Sequence, residues 1–186
     1  MNNDMLIIAF AVIDTNVIVA SMLGNKESAT KDIMNLVDRG NIIPLFDDRI
    51  IDEYYDVLSR FFTEDIVCEK LTDIVNNGLL VSNIEETKEY FKDKDDIPFF
   101  EVKETAKELD PYLITGNQKD FPENTTKTPA FVIDVLKYLN NFIIKNKEQY
   151  LDDIDNLLKS LDKSKYTFGW DSNLLEKYCC QKEKAR

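Results

Sequence analysis

The run Leu6-Ile7-Ile8-Ala9-Phe10-Ala11-Val12-Ile13 is apolar without a break and then stops on an acid, Asp14. A short, β-branched run of this kind is a strand buried on both faces, which places it inside a parallel sheet. Asp14 follows its carboxyl end, where open α/β sheets bind their ligands. A carboxylate there is costly to desolvate unless something compensates it. Two readings stay open for it alone: a cap on the following turn, or part of a site.

The chain beyond Asp14 alternates strand and helix. Glu27 to Arg39 carries Ile33, Leu36 and Val37 at helical spacing and ends at Gly40. Ile42 to Phe46 reads as a strand. Asp47 or Asp48 then caps a helix over Arg49 to Phe61, with an apolar stripe of Ile50, Tyr54, Val57, Leu58 and Phe61. A helix is expected over Glu64 to Asn76, a strand over Leu79 to Val81, a helix over Pro98 to Leu109 and a strand over Tyr112 to Thr115. Helices follow at about Ala130 to Ile144, Gln149 to Leu161 and Asn173 to Cys180. The pattern predicts an α/β fold with a central parallel sheet. A boundary is expected near Lys145-Asn146-Lys147, separating a main domain over 1–144 from a helical extension over 145–186 packed on it.

Composition narrows the chemistry. The net charge is −12 and the acidic surplus lies before residue 143, which argues against a general nucleic-acid coat protein. There is no histidine, so zinc and imidazole mechanisms are not expected. Any metal here is held by oxygen, which favours magnesium or manganese. Cys68, Cys179 and Cys180 form no CxxC pair and point to a reducing cytoplasm. No apolar stretch is long enough to span a bilayer, and the N-terminus lacks the basic region of a signal peptide. A cytoplasmic protein with no membrane partner is the expectation.

Three further polar sites stand out. Glu53 falls on or beside the buried stripe of its helix, where a purely structural helix would place no charge; the alternative is an edge glutamate paired with a lysine. Asp93-Lys94-Asp95-Asp96 precedes Ile97-Pro98-Phe99-Phe100-Glu101, and three acids in four residues exceed what one helix end needs, although capping alone would explain one. After the strand ending at Thr115, the chain turns through Gly116-Asn117-Gln118-Lys119-Asp120-Phe121, which is also ordinary turn chemistry.

Together, Asp14-Thr15-Asn16, Glu53, Asp96 and Thr115-Gly116-Asn117-x-x-Asp120-Phe121 resemble the PIN-domain ribonucleases, most closely the branch of toxin components of bacterial toxin–antitoxin pairs. The resemblance covers roughly residues 6–140. It implies a Rossmann-like three-layer α/β/α fold, here with a C-terminal helical appendage, and a Mg²⁺- or Mn²⁺-dependent site that cleaves single-stranded RNA. By the same resemblance Asp14, Glu53 and Asp96 match the family's three acids, with Asp93 and Asp95 as alternatives for the third. Phe99 and Glu101 follow Asp96 at the family spacing. The fourth position, often aspartate, is Asn117, with Asp120 as a substitute ligand. Asn16 and Thr115 match polar positions that orient the acids.

The chemistry is independently coherent, because a chain without histidine can obtain water activation and charge compensation from ions held by carboxylates. Such an ion also lets an acidic body accept RNA, with Lys94 and Lys119 assisting. A toxin implies an antitoxin partner. The apolar faces after residue 145, including Leu151, Leu157, Trp170 and Tyr178, either complete the core or offer a surface to that antitoxin or to a second copy in a homodimer. Two other classes compete. One is a catalytically weak PIN-like module that binds RNA or protein, motivated by Asn117 and the acidic surface. The other is a magnesium-dependent phosphatase of haloacid-dehalogenase type, disfavoured because that family wants Asp-x-Asp where this chain has Asp14-Thr15-Asn16.

Overall fold

The computed structural model describes residues 5–24 and 27–179. Strand β1 (Ala9–Ile13) is the hub of a five-stranded sheet in the order β4-β1-β2-β3-β5, with β2 at Ile42–Phe46, β3 at Leu79–Val81, β4 at Tyr112–Ile114 and β5 at Tyr166–Phe168. The first four strands are parallel: Ala9 lies opposite Ile42, Val12 opposite Leu113 and Leu45 opposite Leu79. Ala11, Val12 and Ile13 are completely or almost completely buried, as a strand covered on both faces must be.

Helices α1 (Thr15–Leu23), α2 (Ala29–Asp38), α3 (Asp48–Leu58), α4 (Glu64–Asn76), α5 (Ile97–Thr105) and α6 (Pro129–Ile143) connect and follow these strands. On one side α2 packs on β2 and α6, and α6 on β4; on the other, α5 lies along β1, β2 and β4 and packs on α3, which packs on α4. This is the expected three-layer α/β/α arrangement. From β1 the chain moves outward to β2 and β3, then returns to β1's other side as β4. The order therefore reverses at β1, so the carboxyl ends of β1 and β4 form the switch point at which open α/β sheets bind their ligands.

Several elements depart from the sequence reading for identifiable reasons. Helix α1 is apolar almost all round, with Val17 and Ile18 fully buried, so it has no amphipathic stripe to reveal it. Helix α3 ends at Leu58, not at 61; the amides of Arg60 and Phe61 turn back to Val57 and Leu58, and Phe61 is left 54% exposed.

The segment after 144 is not helical throughout. A 3₁₀ turn at Ile144–Asn146 leads into α7 (Lys147–Ser160), then β5 pairs antiparallel with β3, and α8 (Glu176–Cys179) follows; Cys180 lies outside the described residues. Strand β5 is only three residues long, too short to show alternation. Leu158, Leu161, Phe168, Leu174, Leu175 and Tyr178 pack against the core, while Trp170 is exposed and stacks on Phe168. After β5 the backbone at Gly169 runs so close to α4 that a Cβ there would sit 1.7 Å from the Val75 carbonyl oxygen. Only glycine fits that approach.

Candidate active site

Asp14 is placed by backbone first. Its amide donates to the Ile114 carbonyl at 2.9 Å, which continues the β1–β4 register one step past both strands and brings Thr115 alongside. The residue also caps α1: its Oδ1 accepts from the Asn16 amide at 3.2 Å. The capping reading is therefore true but incomplete, because Oδ2 accepts two more bonds, from Asn16 Nδ2 and from the Thr115 hydroxyl, both 2.6 Å. Thr115 Oγ1 in turn accepts from the Asn117 amide at 2.8 Å. Asn16 Oδ1 accepts from the Gly116 amide at 3.0 Å, a close approach in which an added Cβ would lie 3.3 Å from that oxygen. Asn16 and Thr115 thus hold Asp14 in one orientation.

Glu53 reaches the same place from α3. Its neighbour Tyr54 is buried and donates its hydroxyl to the carbonyl of Ile13, the last residue of β1. That bond pins α3 to the strand end, so Glu53 faces the start of α1. There the buried Thr15 hydroxyl donates to Glu53 Oε1 at 2.5 Å. Among the described residues the partner of Glu53 is thus the Thr15 hydroxyl and not a lysine.

Asp96 opens α5. It occupies the cap position in αR geometry and makes no side-chain capping bond, so its carboxylate is not used by the helix end. Asp93 and Asp95 are exposed, and Asp93 Oδ1 accepts from the Asp95 amide at 3.1 Å in a local turn. Asp96 alone of the three is half-buried. Phe99, one turn on, is buried against Tyr54 with ring centroids 6.1 Å apart, tying α5 to α3 beside the acids. On the fourth side, a 3₁₀ turn at Gln118–Asp120 carries Asp120, whose carboxylate accepts from Asn117 Nδ2.

Two features escaped the sequence reading. Thr15, given no role of its own within Asp14-Thr15-Asn16, has the hydroxyl that donates to Glu53. The second is a clamp behind the site. Asp47 caps α3 by accepting from the Ile50 amide at 3.0 Å, Arg49 Nε donates back to Asp47 at 2.7 Å, and Arg49 Nη1 donates to Glu101 at 2.7 Å. Glu101 also accepts from the Thr87 amide at 2.8 Å and is 4% exposed. The clamp joins the helix bearing Glu53 to the helix opened by Asp96. Its signal was a lone glutamate inside the apolar stretch Phe99-Phe100-Glu101-Val102.

Asp14, Glu53 and Asp96 each sense neighbouring acids. Burial pushes the Asp14 carboxyl up, against the bonds from Thr115 and Asn16, and the charge of Asp120 adds to the rise. Burial raises Glu53 to about 7, opposed by Thr15 and reinforced by Asp14, Asp95 and Asp96. Asp96 is also raised to about 7, first by burial and then by Asp14, Asp93, Asp120 and Asp95. Among the described residues none of Asp14, Glu53, Asp96 and Asp120 is in a salt bridge. A cluster of carboxylates that repel one another without a cationic side chain is the setting in which a bound cation is most stabilising.

The donor set is all hard oxygen, with no imidazole and no thiolate, and its chemistry fits a magnesium- or manganese-like ion. Asp14, Glu53, Asp96 and Asp120 are the residues that could hold one. Among the described residues, however, no group of three or more acids is already disposed as a coordination shell. Glu53 is turned to Thr15 and Asp120 to Asn117, so an ion would have to compete with those bonds.

A family model described as PIN domain matches residues 11–119. No curated protein and no solved structure matches the chain. The matched span begins inside β1 and ends within the 3₁₀ turn, so it takes in Asp14, Glu53, Asp96 and Asn117 and stops one residue short of Asp120.

Proposed function

The chain belongs to the PIN-domain family, whose members are generally nucleases that use divalent metal ions, and on that ground we propose that it is a Mg²⁺- or Mn²⁺-dependent endoribonuclease acting on single-stranded RNA. The observation that supports this reading is that Asp14, Glu53 and Asp96 each lie near enough to other acids to be raised by their charge, with no cationic side chain paired to them among the described residues.

These carboxylates would hold a divalent ion, which when bound would supply water activation and charge compensation for phosphodiester hydrolysis. The protein's own groups do the rest. Asp14, locked by Asn16 and Thr115, is the fixed ligand whose position does not depend on substrate. Glu53 has Oε1 engaged by Thr15, which leaves Oε2 to take up or release a proton near neutrality. Asp96 shares that range and completes the acidic wall. Asn117 and Asp120, bonded to each other, form its far side, and Lys94 and Lys119 sit in sequence next to the acids to meet RNA phosphates.

The toxin role and an antitoxin partner are supported by the sequence resemblance, and a cytoplasmic location by the unpatterned Cys68, Cys179 and Cys180. No helix among the described residues is long and apolar enough to cross a membrane. Exposed Tyr138, Phe142 and Ile144 at the end of α6 support a partner surface, for an antitoxin or a second copy. We divide the chain into a nuclease unit, 1–144, and an extension, 145–186, whose contacts with the core support packing onto that unit.

A second reading, a binding module with weak catalysis, is favoured by Asn117, whose amide stands where the family often has a charge. One assay separates the two: incubation of a mixed pool of single-stranded and structured RNAs with wild type and Asp14→Asn, in Mn²⁺ and in EDTA. The nuclease reading expects cleavage by wild type in Mn²⁺ alone, and at least a hundredfold less from the variant, since each ~1.4 kcal/mol of lost transition-state stabilisation is tenfold. Cleavage that survives both EDTA and the substitution would overturn it.

A further inference from the structure

Beside the acids, on the outer side of the 3₁₀ turn, lies a cleft of about 470 Å³ lined by Gln118, Lys119, Glu123, Lys127 and Phe131, among others. Its walls are fixed to the site. The Lys127 amide donates to the Leu113 carbonyl at 2.8 Å and its carbonyl accepts from the Thr115 amide at 3.1 Å, so residue 127 is stitched to the strand end that also orients Asp14. Gln118 Nε2 donates to the Thr126 carbonyl at 3.1 Å and joins the two walls. Asn117 and Asp120 flank the same short turn, and Asp120 lies close enough to raise the pKa of Asp14 and Asp96.

The cleft's surface chemistry differs from that of the acidic body around it. Lys119 and Lys127 make no salt bridge among the described residues. Phe131 is 48% exposed on the first turn of α6, and Lys127 Nζ stands 5.3 Å from its ring centroid. A single exposed phenylalanine needs no explanation. An exposed ring with an ammonium over one face, in a cleft next to the proposed nuclease site, is the pairing that single-stranded nucleic acid uses: base on ring, phosphate on ammonium. A net charge of −12 makes such a local foothold necessary, because RNA is otherwise repelled.

We propose that this cleft is a nucleotide subsite, in which one unpaired base stacks on Phe131 and the adjoining phosphates lie against Lys127 and Lys119. Its substrate class rests on the nuclease reading. Stacking is tolerant of base identity, so the subsite selects unpaired strand rather than sequence. Glu123, also in the lining, repels any phosphate placed beside it and so leaves the two lysines as the phosphate contacts.

The test measures binding apart from cleavage. A fluorescently labelled ten-nucleotide oligouridylate is titrated, in EDTA and at low salt, with the full chain and with Phe131→Ala, Phe131→Trp, Lys127→Gln and Lys119→Gln. The expected result is saturable binding by wild type, about tenfold weaker for Phe131→Ala and restored in Phe131→Trp. Each lysine variant should bind more weakly and flatten the slope of log affinity against log salt by about 0.7. Wild-type affinity in Phe131→Ala, or no saturable binding by wild type, overturns the proposal. So does a Phe131→Ala protein whose sedimentation changes while oligonucleotide affinity does not, since the ring would then serve a protein contact. If binding depends on Phe131 but wild type cuts nothing in Mn²⁺, the nuclease reading fails and the subsite stands.

Discussion

Thr15 and Glu53, 38 positions apart, meet through a 2.5 Å hydrogen bond from the threonine hydroxyl to Oε1. The bond exists because Tyr54, next to Glu53, is anchored on Ile13, two residues before Thr15. A neutral hydroxyl thus supports a carboxylate that burial and three other acids all push toward protonation. Much of what the site can do depends on that imbalance.

Replacing Thr15 with valine keeps shape and removes the donor. Glu53 should then be driven further above about 7, because the Thr15 bond lowers its pKa. The acid limb of the pH–rate profile moves to higher pH, and cleavage at neutral pH falls about tenfold, as for loss of a hydrogen bond to a charged group. Thr15→Ser restores both. A profile unchanged in Thr15→Val would show that Glu53 does not take part in the titrating step.

Metal-free protein should lose stability as pH rises. Glu53 goes from an ordinary 4.5 to about 7 on folding and Asp96 from 3.8 to about 7, so between those limits the folded state binds more protons than the unfolded. The stability is fully present below the unfolded pKa values and is lost as pH climbs through about 7. Glu53→Gln removes one of these charges, so in EDTA its melting temperature should exceed wild type at pH 8 and match it at pH 4. Calorimetric melts across that range check the sign.

The same protons compete with an ion. Mn²⁺ affinity should strengthen as pH rises through about 7, with proton release on binding. Titration calorimetry in buffers of different ionisation enthalpy reads that release directly. Bound ion should also raise the melting temperature most at pH 8, where the unneutralised carboxylates cost most. Asp14→Asn should abolish the stabilisation.

Arg49→Met removes the cation between Asp47 and Glu101. It should cost about 2 kcal/mol in urea unfolding, less than a fully buried pair, because the Arg49 side chain is 45% exposed while that of Glu101 is 5% exposed. Adding Glu101→Gln removes the stranded charge and should recover part of the loss. If the single variant is as stable as wild type, the clamp is ornamental.

The sequence disclosed the fold where local pattern and burial agreed. Strand Ile42–Phe46 and helix Glu64–Asn76 emerge where periodicity placed them, and the abrupt stop at Asp14 marks the switch point. It was silent where tertiary context decides. Thr15–Leu23 has no polar face to reveal its period, and Tyr166–Phe168 is a strand only because β3 offers an edge. Among three clustered acids, composition alone did not separate Asp96 from Asp93 and Asp95; the family spacing to Phe99 and Glu101 favoured Asp96, and it is the half-buried one of the three. The roles of Thr15 and Arg49 were equally hidden, because each depends on a partner dozens of residues away.

Strand β5 follows in sequence every acid of the site, yet it covers the outer edge of β3. As the chain leaves the ribosome, four parallel strands and the whole acidic cluster emerge while Leu79-Leu80-Val81 still has a bare edge. Such an edge is a template for pairing with a neighbouring chain. Without the segment through Gly169 seated against Val75, the outer edge of β3 has no strand beside it. The extension thus seals the sheet's outer edge, and a chain cut before residue 166 would leave Leu79-Leu80-Val81 open to pairing.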